Sequence, residues 1–176
     1  MKKLKLATVW LDGCSGCHMS LLDLDGALIP IVRKVDIVYG PLVDAQEFPE
    51  DVDVTLLEGA ISTQEDVERL QQIRERSRLL VSLGDCAVTG NVAALRNVVP
   101  VNQLLQRVYV EGADADPGIP RQGLPQLSKQ ARPAQDFVKV DVCLPGCPPQ
   151  NKVIAGLLNS LIEGRKLDAN QKIKFG

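Results

Sequence analysis

The feature that most constrains this fold is a rhythm. Short apolar runs alternate with stretches of helical period, and the runs close on glycines or other turn-forming residues. Residues 4–11 read as a buried strand that ends at Asp12-Gly13. From Ser15 to about Lys34, Leu21, Leu24, Leu28 and Ile31 recur at spacings of three and four, as a helix requires. Pro30 is placed to bend or shorten its last turn. Residues 35–39 and 52–57 read as the second and third strands. Ser62 then opens a helix, with Glu65 in the capping-box position and Val67, Leu70 and Ile73 as the inward stripe. Residues 79–83 form the fourth strand, followed by short helical pieces over 91–96 and 101–109. A fifth strand is expected at 137–142 and a last helix at about 152–163, which Gly164 ends. Strand-helix repeated in this way favours an α/β fold. It is a doubly wound parallel sheet, order 2-1-3-4-5, with helices on both faces and a single domain over 1–176. Residues 111–134 break the rhythm. Pro117, Pro120, Pro125 and Pro133 punctuate a long loop without apolar period, of the kind that serves function or clasps a partner.

In a parallel sheet, everything that follows a strand lies along one edge, where such sheets bind ligands. Cys14 and Cys17 follow the first strand, Glu58 ends the third, Cys86 follows the fourth, and Cys143 and Cys147 follow the fifth. Residues distant in sequence therefore converge. Four thiolates on one site suit an iron–sulfur cluster, and the Cys147-Pro148 pair resembles the close of such a ligand set. Gly13, Gly16 and Gly146 let the backbone turn closely around the bound group. The helix opening near Ser15 is expected to stabilise the thiolates through its positive end. Cys143 reads as a small packing residue at the end of a strand, although spacing alone does not separate it from Cys147.

Competing uses are weaker. Structural zinc prefers two cysteine pairs close in sequence. A thioredoxin-like disulfide at Cys14 and Cys17 leaves three cysteines idle. A flavodoxin-like domain binding a flavin or zinc as a sensor is the rival from another class. His18, the single histidine, reads as an exposed polar residue of the first helical turn. Glu58 is either a proton-handling group beside the site or an anion at the start of the Ser62 helix. Asp85 is either part of the site edge or a turn residue.

Composition excludes other classes. The net charge is -2 and aromatic residues make up 3%, which disfavours a nucleic-acid-binding face. Five cysteines, an odd number, with no secretory signal point to a reducing compartment, the cytoplasm. No run approaches a membrane span, and the 6–11 run is too short for an export signal.

Assembled, these motifs resemble the small subunit of nickel-iron hydrogenases. Cys14-Ser15-Gly16-Cys17 looks like the family's first ligand pair and Glu58-Gly59-Ala60 like its glutamate turn. Gly84-Asp85-Cys86 is similar to its third ligand, and Pro145-Gly146-Cys147-Pro148-Pro149 to its fourth. The wording around Ala7-Thr8-Val9-Trp10-Leu11 and Cys17-His18-Met19-Ser20 looks most like the soluble, NAD-reducing (bidirectional) branch. The resemblance implies a flavodoxin-like fold and one proximal 4Fe-4S cluster on Cys14, Cys17, Cys86 and Cys147. It also implies a large-subunit partner holding the Ni-Fe centre. With no cysteine after Cys147, electrons are expected to leave to another subunit, a diaphorase module that binds FMN and NAD(P). The related quinone-reductase subunit uses a tandem Cys-Cys pair, which this chain lacks.

Overall fold

The computed structural model describes residues 3–165; the outer ends of the expected 1–176 domain lie outside the described residues. Five strands build a parallel sheet: β1 (Leu4–Trp10), β2 (Val35–Tyr39), β3 (Val52–Glu58), β5 (Ser77–Leu83) and β7 (Val142–Leu144). Their order is β2-β1-β3-β5-β7, with every neighbouring pair parallel. This is the expected doubly wound, flavodoxin-like order, with two short strands interleaved in the numbering. Those two, β4 (Ile61–Thr63) and β6 (Leu127–Arg132), form a separate antiparallel pair.

Alternation along the central strands explains the layering. Leu6, Val54, Leu56, Val81 and Leu83 turn to one face. There they meet α1 (Gly16–Leu22), α2 (Leu28–Val32) and α6 (Asn151–Ile162) through Leu21, Ile31, Ile154, Leu157 and Leu158, joined by Leu24 from the turn between α1 and α2. The next residues along, Ala7, Val9, Leu57 and Leu80, turn to the other face and pack with Leu70 and Ile73 of α3 (Gln64–Arg76). A period of two thus feeds two cores from the same strands.

Several local expectations are corrected. The helix foreseen over 15–34 is three pieces. A 3-10 turn at Asp25–Ala27 separates α1 from α2. The break falls where Asp25 takes a positive φ of 48°, beside Gly26, rather than at Pro30. Pro30 sits in the first turn of α2, where a missing N–H costs little. The capping box is one residue later than expected. Thr63 Oγ1 accepts from the Asp66 N–H (3.1 Å) and Asp66 Oδ2 accepts from the Thr63 N–H (2.9 Å), because Ser62 belongs to β4. The 111–134 loop is not structureless, since β6 lies within it.

The fifth strand begins at Val142, not at 137. The segment before it carries a 3-10 turn, Ala134–Asp136. Asp141 then makes the edge contact instead of a ladder: its N–H donates to the Leu80 carbonyl (3.0 Å), and its carboxylate accepts the Leu80 N–H (2.8 Å) and Arg74 Nη1 (2.6 Å). The remaining helical pieces are α4 (Asp85–Thr89), a 3-10 turn at Ala93–Val98, and α5 (Val101–Gln106) continuing as a wider turn through Glu111. No helix among the described residues is long and apolar enough to cross a membrane.

Candidate metal centre

The centre is assembled at the carboxyl edge of the sheet by a set of backbone ties. Gly84, at the end of β5, donates its N–H to the Leu144 carbonyl (2.8 Å). The Asp85 N–H donates to the Gly146 carbonyl (2.9 Å), and the Gly146 N–H donates back to Asp85 Oδ1 (2.7 Å). These three bonds clamp the Cys86 and Cys147 segments together, so Asp85 is a loop-locking residue. Ser20 Oγ of α1 donates to the Pro149 carbonyl (2.6 Å) and draws the first cysteine segment to the same place. The Cys147–Pro148 peptide is cis.

Gly84 has φ +83° and ψ 163°, and a Cβ there would overlap the Cys17 sulfur. The Cys17 thiol therefore lies directly over the Gly84 backbone, two residues before Cys86. Cys17 is buried, Cys86 half-buried, and Cys14 and Cys147 are exposed at the rim. Burial pushes the Cys17 thiol up to about 12, and the charge of Glu58 adds to it, followed by those of Cys86, Cys14 and Cys147. Four cysteines thus share one electrostatic neighbourhood. Burial also raises Cys86, with Cys147 adding, while N–H groups of Val92 and Asn91 oppose the rise.

Cys143 is not part of this neighbourhood. It is exposed on the edge strand β7 rather than packed, which corrects its reading as a small core residue. Desolvation alone raises its thiol, with no other cysteine contributing. The residue points away because Leu144, the next in the strand, takes the core side.

Glu58 is 1% exposed, and its task is specific. Oε2 accepts the His18 N–H (3.0 Å) and Oε1 faces the Cys17 N–H (3.4 Å). His18 Nδ1 also bonds Oε2. The carboxylate therefore caps α1, not the helix after Ser62. This corrects a second expectation. The free N–H groups of α1 were to favour the thiolates, but Glu58 occupies them, and its charge works against ionisation of Cys17. His18 is buried (7% exposed), not an exposed first-turn residue, because it must reach Glu58 from the inner side of α1.

One residue of the site escaped the sequence reading. Asn91 Nδ2 donates to Cys147 Sγ at 3.5 Å. Its backbone is left-handed, φ +34°, immediately after Gly90 at φ +85°. The Gly90-Asn91 turn pair following the third cysteine was the available signal.

The donor set fits a cluster of iron and sulfide. It is four thiols with N–H donors beside two of them and a glycine in place of any side chain under the most buried one. No three His, Cys, Asp or Glu side chains among the described residues group tightly enough to hold a single metal ion.

Comparison with known proteins places the chain in a family. The family model described as NADH ubiquinone oxidoreductase, 20 Kd subunit, matches residues 14–161, from the first cysteine of the site to the last helix. A subunit of the F420-non-reducing hydrogenase (vhu) of Methanocaldococcus jannaschii is 39% identical over 171 residues, covering 96% of this chain and 59% of that protein. The delta subunit of the NAD-reducing hydrogenase HoxS of Cupriavidus necator is 38% identical over 176 residues, covering 97% of this chain and 84% of that one. The chain thus spans less than two thirds of the first relative and most of the second. Among solved structures, a chain of an NAD+-reducing [NiFe]-hydrogenase in the H2-reduced state superposes with a TM-score of 0.92 at 36% identity, covering 99% of this chain and all of that one. A [NiFeSe]-hydrogenase chain from Dm. baculatum, at 19% identity and a TM-score of 0.63, shares the fold. The chain belongs to the NADH ubiquinone oxidoreductase 20 Kd subunit family, and within it these relatives are hydrogenase subunits.

Proposed function

We propose that this chain is the electron-relaying small subunit of an NAD(P)-linked nickel-iron hydrogenase, with one 4Fe-4S cluster held by Cys14, Cys17, Cys86 and Cys147. The observation that carries the reading is the convergence of these four thiols, from the ends of three strands, at one rim of the sheet. Likeness to the NAD-reducing subunit over most of both chains supports the choice of complex. The partners are a large subunit bearing the Ni-Fe centre and a diaphorase module bearing FMN and NAD(P). The compartment is the cytoplasm, and the chain forms a single iron–sulfur domain.

When bound, a 4Fe-4S cluster stores and passes single electrons. The chain's own residues supply the frame. Gly84 leaves room for the Cys17 sulfur, and Asp85 and Ser20 tie the ligand loops together. Glu58 closes α1 with a buried negative charge beside Cys17. Rigid loops limit rearrangement when the charge of the site changes. Cys14 and Cys147 remain at the surface, so the rim is where a large subunit would dock.

The test is purification with the natural partners, followed by metal and acid-labile sulfide analysis and electron paramagnetic resonance. About four irons per chain on this subunit are expected. One zinc per chain, or flavin without iron, overturns the reading in favour of a sensor or binding module.

A further inference from the structure

We propose that Asn91 sets the reduction potential of the site by donating its side-chain N–H to the sulfur of Cys147, a positioning residue acting through that ligand. The inference rests on the cluster reading above. Its geometry is independent of it: Asn91 Nδ2 stands 3.5 Å from Cys147 Sγ. The same amide, together with the Val92 backbone N–H, also faces the Cys86 thiol. The donors therefore gather on one side of the site, the Cys86–Cys147 side. Beside Cys17 stands instead the buried carboxylate of Glu58.

The backbone is arranged for this contact. Gly90 ends α4 in the left-handed region, and Asn91 follows with φ +34°, a conformation asparagine tolerates better than most residues. This turn swings the amide back over the end of α4 toward the ligand loops. N–H groups aimed at ligand sulfurs stabilise the more negative, reduced state and raise the potential. Asparagine suits the task because its NH2 carries two donors and no charge.

The experiment uses the complex purified with its partners and a redox titration of this subunit's cluster followed by electron paramagnetic resonance. Asn91→Gly keeps the left-handed backbone and removes the donor. It is expected to lower the reduction equilibrium constant roughly tenfold, which is ~59 mV for a one-electron couple. Asn91→Asp, which replaces a donor by a charge, is expected to lower it further. Unchanged midpoints in both variants with full iron content overturn the inference. So does loss of iron in Asn91→Gly, which would make the amide an assembly element. A wild-type complex lacking the cluster signal would instead overturn the underlying functional reading, and this inference with it.

Discussion

The sharpest test of the site is a single methyl group. Gly84→Ala places a Cβ at φ +83°, ψ 163°, a region essentially reserved for glycine, at a cost of about 1–3 kcal/mol. The same Cβ overlaps the sulfur of buried Cys17, and forcing a side chain into a filled site costs about 1–3 kcal/mol more. Neither can be relieved by sliding the segment, because the N–H groups of Gly84 and Asp85 are fixed to Leu144 and Gly146. The expected loss is therefore roughly 2–6 kcal/mol, or about 4–24 °C in melting temperature for a domain of this size. Iron should be lost with it, since Cys17 is the thiol displaced. Gly156→Ala is the matched control. It adds the same methyl at an exposed position of α6, with nothing within 4 Å, and should stabilise by up to about 1 kcal/mol. Thermal melts by circular dichroism and iron content on both variants decide the matter. A Gly84→Ala protein that melts with the wild type and keeps its iron would refute the placement of Cys17 over this backbone.

Three further outcomes follow from the geometry. Glu58→Ala strands the buried His18 N–H and ring donor, at about 1–3 kcal/mol each, and should lower the urea midpoint. Glu58→Gln, which keeps one acceptor oxygen, should cost less, and equal stability of all three proteins would contradict the capping role. In the metal-free chain, the folded state holds the Cys17 proton more tightly than the unfolded chain does. The stability this gives is full below the ordinary thiol value of 9.0 and is lost as pH rises toward about 12. Denaturation midpoints of wild type and Cys17→Ala should therefore converge or cross over that window, and a constant difference would count against it. Cys143→Ser should retain iron while Cys147→Ser loses it, because only the second thiol stands among the other three. Iron analysis of the two variants gives the answer, and the reverse pattern would reassign the fourth ligand.

Much of this was legible in the linear chain. The runs at β1, β2, β3 and β5 announced themselves by predominantly apolar character, and the parallel order follows from strand-helix alternation. The four thiols at one rim follow from that order, since a parallel sheet puts all its carboxyl ends together. What failed were assignments that depend on a neighbour. The sequence 137–142 looks like a strand because of its apolar residues, but the Asp141 carboxylate takes the Leu80 N–H. β6 could not be found because its partner β4 is three residues long, so pairing rather than pattern defines both. His18 and Glu58 were ambiguous for a related reason: a buried carboxylate is explained only by the donors around it, and those lie 40 residues away.

Sequence by itself determined the class of fold, the edge at which the site forms and the thiol chemistry available there, because periodicity and turn residues act locally. Tertiary structure alone decided which cysteine stands apart, which helix Glu58 caps, and that Asn91 reaches the Cys147 sulfur. Those outcomes depend on distances between segments that approach only when the sheet has closed, and no spacing along the chain encodes them.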